Sequence, residues 1–167
     1  MKMELEKIVL RQLYDGLWHT THPDRFQSIL KSGAILPEPN IPNEERWITK
    51  DGEYPYVRTL GGVSLFDFSK FDAEEYSRTY RLSSWFEFVP YRESWSCSVW
   101  IEIDRTKILS GFISGNELLT RWKAKAAHKH PLMPKIEAAH VGMIPREAFK
   151  RAFTVYAGDH QMREYKF

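Results

Sequence analysis

A chain of 167 residues, 43% hydrophobic and 28% charged, is long enough for one domain spanning 1–167 with its own core, without disulfides or a structural metal. The single cysteine, Cys97, excludes a disulfide framework and a cysteine-rich metal site, and no run of about twenty apolar residues is present to cross a membrane as a helix. The formal charge of +2 is unevenly spread: residues 1–100 carry 12 Lys/Arg against 15 Asp/Glu, residues 101–167 carry 12 against 7.

The start, Met1-Lys2-Met3-Glu4-Leu5-Glu6, is acidic too early for a secretory signal, so a cytoplasmic location is the expectation. Leu5, Ile8, Val9 and Leu13 recur at helical spacing among charges and predict an amphipathic helix over 3–13, broken by Asp15-Gly16. Leu17-Trp18-His19-Thr20 reads as a short strand. Pro23 to Ser32 reads as a helix with Phe26, Ile29 and Leu30 on its apolar face, proline at its first position and Gly33 where a left-handed cap is wanted. The junction delivers His19, Thr20 and Thr21 to a strand end beside free helix N–H groups, a placement that suits an anionic or hydroxyl-rich ligand. The plain alternative is that His19 pins a turn and Thr21 or His22 caps the helix.

From Ile35 to Tyr56 the periodicity dissolves among Pro37, Pro39, Pro42, Gly52 and Pro55. An irregular excursion of this length reads as a lid or a substrate-facing element, or as a tolerated insertion. Gly61-Gly62 then opens a strand through Val63 and Leu65, where paired glycines allow close backbone approach. A short helix is expected over 71–80. The aromatic run 82–95 reads either as a strand with a turn or as a loop laying rings over a cavity.

Cys97 to Ile103, dense in β-branched and aromatic residues, is the clearest strand, with Asp104 capping a single turn after it. A helix is predicted over 116–127, a strand over 136–141 carrying Glu137 and His140, a short helix over 145–151 and a strand over 152–156. The residues from Gly158 onward are polar and read as peripheral. Without regular strand–helix alternation or a glycine-rich first turn, a doubly wound sheet is disfavoured. The fold class expected is α+β, with two small sheets about a cleft and flanking short helices.

Three chemical readings follow. Arg121, Lys123, Lys125, His128, Lys129, His130 and Lys135 form a stretch without an acid, suited to phosphate or simply to a solvated helix face. His128, His130, Glu137 and His140 offer metal-ligand types at spacings that match no compact zinc pattern, so no metal is expected. Glu137, between Ile136 and Ala138 on an ordered strand, can stabilise developing positive charge if it faces a cleft, and is an ordinary strand glutamate if it faces solvent.

Leu17-Trp18-His19-Thr20-Thr21 followed by Phe26-Gln27-Ser28-Ile29-Leu30-Lys31-Ser32-Gly33 resembles the opening segment of ADP-ribosyltransferase-like proteins, a superfamily that includes DNA-targeting toxins and RNA 2'-phosphotransferases. Gly62-Val63-Ser64-Leu65 resembles their next core strand, and Glu137 with His140-Val141-Gly142-Met143-Ile144-Pro145 their C-terminal strand and turn. The resemblance implies split mixed or antiparallel sheets around an NAD-binding cleft. It implies NAD-dependent ADP-ribosyl transfer with release of nicotinamide to a nucleic-acid or protein acceptor. The alternatives it leaves are RNA 2'-phosphate transfer and an inactive module that binds NAD or ADP-ribose.

By the same resemblance Glu137 is the catalytic glutamate, supporting the oxocarbenium-like transition state, with Glu147 as a fallback. Arg58 clamps the pyrophosphate or assists the acceptor. His19, Thr20, Thr21, Gly62 and Ser64 contact the nucleotide, and Tyr80 or Trp85 stacks on nicotinamide. Ser64-Leu65-Phe66-Asp67 departs from the family's usual second motif, which is often aromatic or Ser-Thr-Ser. No membrane partner is implied.

Overall fold

Amphipathic spacing gives α1 (Lys2–Leu13), which buries Leu5, Val9 and Leu13 and is followed by Asp15, in the left-handed region, and Gly16. A computed structural model of the chain describes residues 1–47, 49 and 52–167, so the excursion 35–56 is described apart from three of its positions. Next come β1 (Leu17–Thr21) and α2 (Pro23–Ser32). The cap of α2 is His22, whose Nδ1 accepts the Asp24 N–H at 3.1 Å; Thr21 is buried in the strand instead. Gly33 ends the helix at φ 77°, a left-handed conformation that glycine adopts without strain.

The remaining elements are β2 (Ala34–Ile35), α3 (Tyr56–Thr59), β3 (Gly62–Asp67), α4 (Ala73–Thr79), β4 (Cys97–Ile103), β5 (Phe112–Ile113), α5 (Gly115–Ala124), β6 (Glu137–Val141), β7 (Ile144–Pro145), β8 (Phe149–Tyr156) and β9 (Gln161–Tyr165). The fold is α+β. Seven strands form one sheet in the order β5-β6-β3-β1-β4-β8-β9, with every pairing antiparallel, and β2 with β7 makes a separate two-stranded ribbon.

Two expectations are corrected. The segment 145–151 is not a helix but a short 3-10 turn at Arg146–Ala148 that runs directly into β8, whose register with β4 carries the strand back to Phe149. The polar tail after Gly158 is the edge strand β9. An edge strand is held by backbone ladder bonds and needs few apolar side chains; here Met162 and Tyr165 are half-buried, one against each core layer, with Tyr165 edge-on to Phe26 at 4.9 Å.

Alternation along the central strands builds a core on each face of the sheet. One layer holds Trp18, Phe66, Phe68, Trp100 and Phe153 with α1 against them, and the other holds Leu17, Leu65, Val99 and Ile101 beneath Phe26 and Ile29 of α2. The buried indoles are satisfied: Trp18 Nε1 donates to Leu13 O at 3.0 Å and Trp100 Nε1 to Pro90 O at 3.2 Å. Cys97 is buried, as its neighbours imply.

One pairing positions everything that follows. β1 meets β4 along Trp18 to Thr21, and β3 meets β6 along its first five residues, but β1 and β3 pair only at Leu17↔Asp67 and Trp18↔Phe66. Beyond Trp18 the two strands part, and the sheet opens into a cleft.

Candidate functional site

The cleft has a volume of about 440 Å³. His19, Thr20 and Thr21 of β1 and Gly62 and Ser64 of β3 line it where the strands diverge, and Arg58 reaches it from α3. Leu36, Pro37, Pro39, Asn40 and Ile41 with Arg46, Trp47 and Thr49 form a wall, so much of the described part of the excursion faces the cleft. Arg46 stitches that wall together, donating to Pro39 O at 2.6 Å, Ile41 O at 3.3 Å and Glu38 Oε2 at 3.3 Å.

His19 spans the opening. Its Nδ1 lies 3.0 Å from Ser64 O, and because a carbonyl oxygen only accepts, Nδ1 carries the hydrogen. Burial lowers the pKa of the ring, with the Ser64 carbonyl pulling weakly the other way, although the side chain keeps an opening to the cleft. The imidazole is therefore neutral near pH 7, and Nε2 is an acceptor suited to a ligand hydroxyl. Thr20 Oγ1 donates to Val99 O at 3.1 Å, which holds β1 against β4 beside the histidine.

Gly62 sits against Val57: a Cβ there would lie 3.0 Å from Val57 Cγ1 and 3.2 Å from Val57 O, tighter than ordinary packing. Its absence lets α3 lie close to the start of β3, which brings Arg58 to the rim. Arg58 Nε donates to Glu38 Oε1 at 3.3 Å, and its guanidinium lies 5.3 Å from the Tyr54 ring centre.

Glu137 occupies β6 directly opposite Phe66, so it shares a face with Phe66 and, one pair along, with Ser64. It is only 1% exposed and does not line the cleft; Ser64, Phe66 and Met133, its neighbours in fold and backbone bonding, do. Burial raises its pKa to about 8. The Ser64 hydroxyl opposes this from nearby but falls short of hydrogen-bond geometry, and among the described residues neither carboxylate oxygen has a partner. Native structures leave few such groups without a role.

The two aromatic residues expected to stack on a ligand do not line the cleft. Trp85 is buried, with Nε1 donating to Ser77 Oγ at 3.2 Å and its ring 5.3 Å from Phe71, and Tyr80 packs 5.1 Å from Tyr76 at the end of α4. The aromatics that do line it are Phe66 of β3, Trp47 of the excursion, and Phe88 and Trp95, the last two brought there by the 3-10 turns that the run 82–95 forms instead of a strand. Glu147 lies in the 3-10 turn before β8, outside the cleft. Of the basic side chains between 121 and 135 none lines it; Arg121 pairs with Glu117 at 2.5 Å on α5. Among the described residues no group of three metal-ligand side chains converges.

Sequence reasoning missed Arg25, Arg46 and Arg92. With Arg58 they give the lining four arginines and no carboxylate. Each stands alone in a segment without basic neighbours, and only the folded chain brings them together.

No protein family matches the chain, and no curated protein does. Among solved structures, one that resembles it is a crystal structure of an E. coli heat-labile enterotoxin mutant in which mutation of a buried residue causes lack of activity but no conformational change. The two are 15% identical, with a TM-score of 0.44 over 90% of this chain and 75% of that one. The similarity is distant, and it assigns no residue of this chain a role.

Proposed function

We propose that the cleft binds NAD and that the protein transfers ADP-ribose to a nucleic-acid or protein acceptor, releasing nicotinamide. The observation that carries this reading is the opening between β1 and β3, where a neutral histidine and an arginine-rich lining meet above an unpartnered buried carboxyl. A nucleotide needs an acceptor for its ribose hydroxyls, cations for its diphosphate and planar surfaces for its rings. His19 Nε2, Arg58 with Arg46, and Trp47 with Phe88 supply these in turn, Thr20 and Thr21 orient the histidine strand, and Gly62 and Ser64 shape the opposite wall.

NAD supplies a glycosidic C–N bond whose electron pair leaves with nicotinamide, exposing an electrophilic ribose carbon to an acceptor nucleophile that gives up its proton. Glu137 is the group we assign to that developing positive charge. In a site this dry a carboxylate acts far more strongly than in water, but it must first lose its proton. The rate of nicotinamide release should therefore rise with pH and level off above about 8, the pKa to which burial raises Glu137.

The test is incubation of the full chain with labelled NAD and a mixture of DNA, RNA and protein, scored for nicotinamide release and label transfer. Release that depends on Glu137 supports the reading. Removal of an internal RNA 2'-phosphate would identify RNA 2'-phosphate transfer instead, and NAD binding without turnover would identify an inactive binding module.

A further inference from the structure

Arg92 is the one cleft arginine that the described residues leave without an anion. Its backbone is fixed, since the Arg92 N–H donates to Ser98 Oγ at 2.9 Å and Ser98 is fully buried on β4. Its half-buried guanidinium carbon lies 5.2 Å from the Trp95 ring centre and 5.6 Å from that of Phe88. Among the described residues that guanidinium donates no hydrogen bond and joins no ion pair, whereas Arg25 holds Glu45, and Arg46 and Arg58 share Glu38. Glu87, the acid whose charge Arg92 feels, is taken by Trp47 Nε1 at 3.2 Å. Burial weakens the hold of Arg92 on its proton, the charge of Glu87 opposes this and the positive charge of Arg25 adds to it, so two cations share this corner.

A cation partly withdrawn from water, stacked on aromatic rings and without an ion pair among the described residues, is poorly compensated, and an anion supplied by a ligand completes it. We propose that Arg92, with Arg25, forms a phosphoryl-binding subsite on the β1–β4 side of the cleft, and that it takes a phosphate of a second ligand, the acceptor, not the diphosphate held near Arg58. The role of that ligand rests on the nucleotide-cleft reading above; the subsite itself rests on Arg92 and its surroundings. The two arginine clusters share no carboxylate and come from opposite sides of the opening: Arg58 precedes β3, whereas Arg92 precedes β4 and Arg25 follows β1. Among the described residues the four lining arginines form ion pairs only with Glu38 and Glu45, and NAD, whose pyridinium cation cancels part of its diphosphate charge, leaves a positive surplus. That surplus falls at Arg92, which forms no ion pair among the described residues.

Calorimetry on the full chain, with uridine 5'-monophosphate and uridine as probes and with or without saturating NAD, tests this. The phosphorylated probe should bind at least tenfold tighter than uridine in both conditions. Arg92→Gln should remove that preference and leave the Kd for NAD within twofold, and Arg92→Lys should restore part of it. Arg25→Gln is the second variant should Arg92→Gln fail to fold, and Arg58→Gln should show the reverse pattern. Displacement of the mononucleotide by NAD, equal weakening of both ligands by Arg92→Gln, or no preference for the phosphate would each overturn the subsite. Absence of NAD binding overturns the nucleotide-cleft reading alone, and an Arg92-dependent preference for the phosphorylated probe would still support the phosphoryl subsite.

Discussion

A carboxyl sealed in a sheet with no hydrogen-bond partner is costly to ionise, and Glu137 carries that cost through the pH range in which the protein would work. Below its ordinary value of 4.5, folded and unfolded chains both hold the proton; above it the unfolded chain releases the proton while the folded chain keeps it to about 8. The folded state binds more protons across that window, so this group's contribution lowers stability steadily as pH rises and levels off above pH 8. Glu137→Gln, which mimics the protonated acid, should match the parent chain near pH 4.5 and exceed its stability by about 3–5 kcal/mol at pH 9 in urea denaturation. Equal stability of the two at both pH values would mean the carboxyl is solvated. His19 makes a different kind of contribution, since its ring both bridges the parted strands and offers Nε2 to the cleft. His19→Ala should cost about 1–2 kcal/mol for the orphaned Ser64 carbonyl and weaken NAD binding at least tenfold, measured by thermal denaturation and calorimetry.

At the scale of elements, the site depends on how closely α3 and the wall from 36 to 47 approach the parted strands. Gly62→Ala pushes a Cβ against Val57, so we expect a loss of about 1–3 kcal/mol in thermal unfolding and a displaced Arg58. Arg46→Ala removes the bonds to Pro39, Ile41 and Glu38 together, and should speed thermolysin cleavage between 36 and 47 several-fold while the rest of the chain stays resistant. These elements differed in how well the sequence announced them. α1, α2 and β4 were legible because apolar spacing, Pro23, Gly33 and a dense β-branched run all carry local signals. β9 was not, because an edge strand is specified by its partner's backbone, and the start of β8 was hidden by Pro145 and a sequence that also suits a turn. In the run 82–95 the aromatic content was plain, but only packing decides that Trp85 turns into the core and Phe88 and Trp95 into the cleft.

At the scale of the molecule, the seven-stranded antiparallel sheet is joined at its middle, between β1 and β3, by two residue pairs, and the cleft is what the missing pairs leave open. His19, Thr20, Thr21, Gly62, Ser64 and Arg58, picked from two separated stretches of sequence, converge there, because strand ends that part must share a rim. The arginines could not be foreseen in the same way: their convergence is a property of the fold, with Arg25, Arg46, Arg58 and Arg92 arriving from four segments. Glu137 stands between these cases, correctly placed on a strand beside the opening yet sealed beneath its lining. ADP-ribosyl transfer by this chain requires that carboxyl to act on a bound nucleotide. The most direct measurement is nicotinamide release from NAD by the parent chain and by Glu137→Gln across pH 6 to 9, with NAD affinity measured alongside. We predict release by the parent chain that rises toward pH 8, and at least a hundredfold loss in Glu137→Gln with NAD affinity within threefold. Equal release by the two proteins, or no NAD binding by the parent chain, would contradict it.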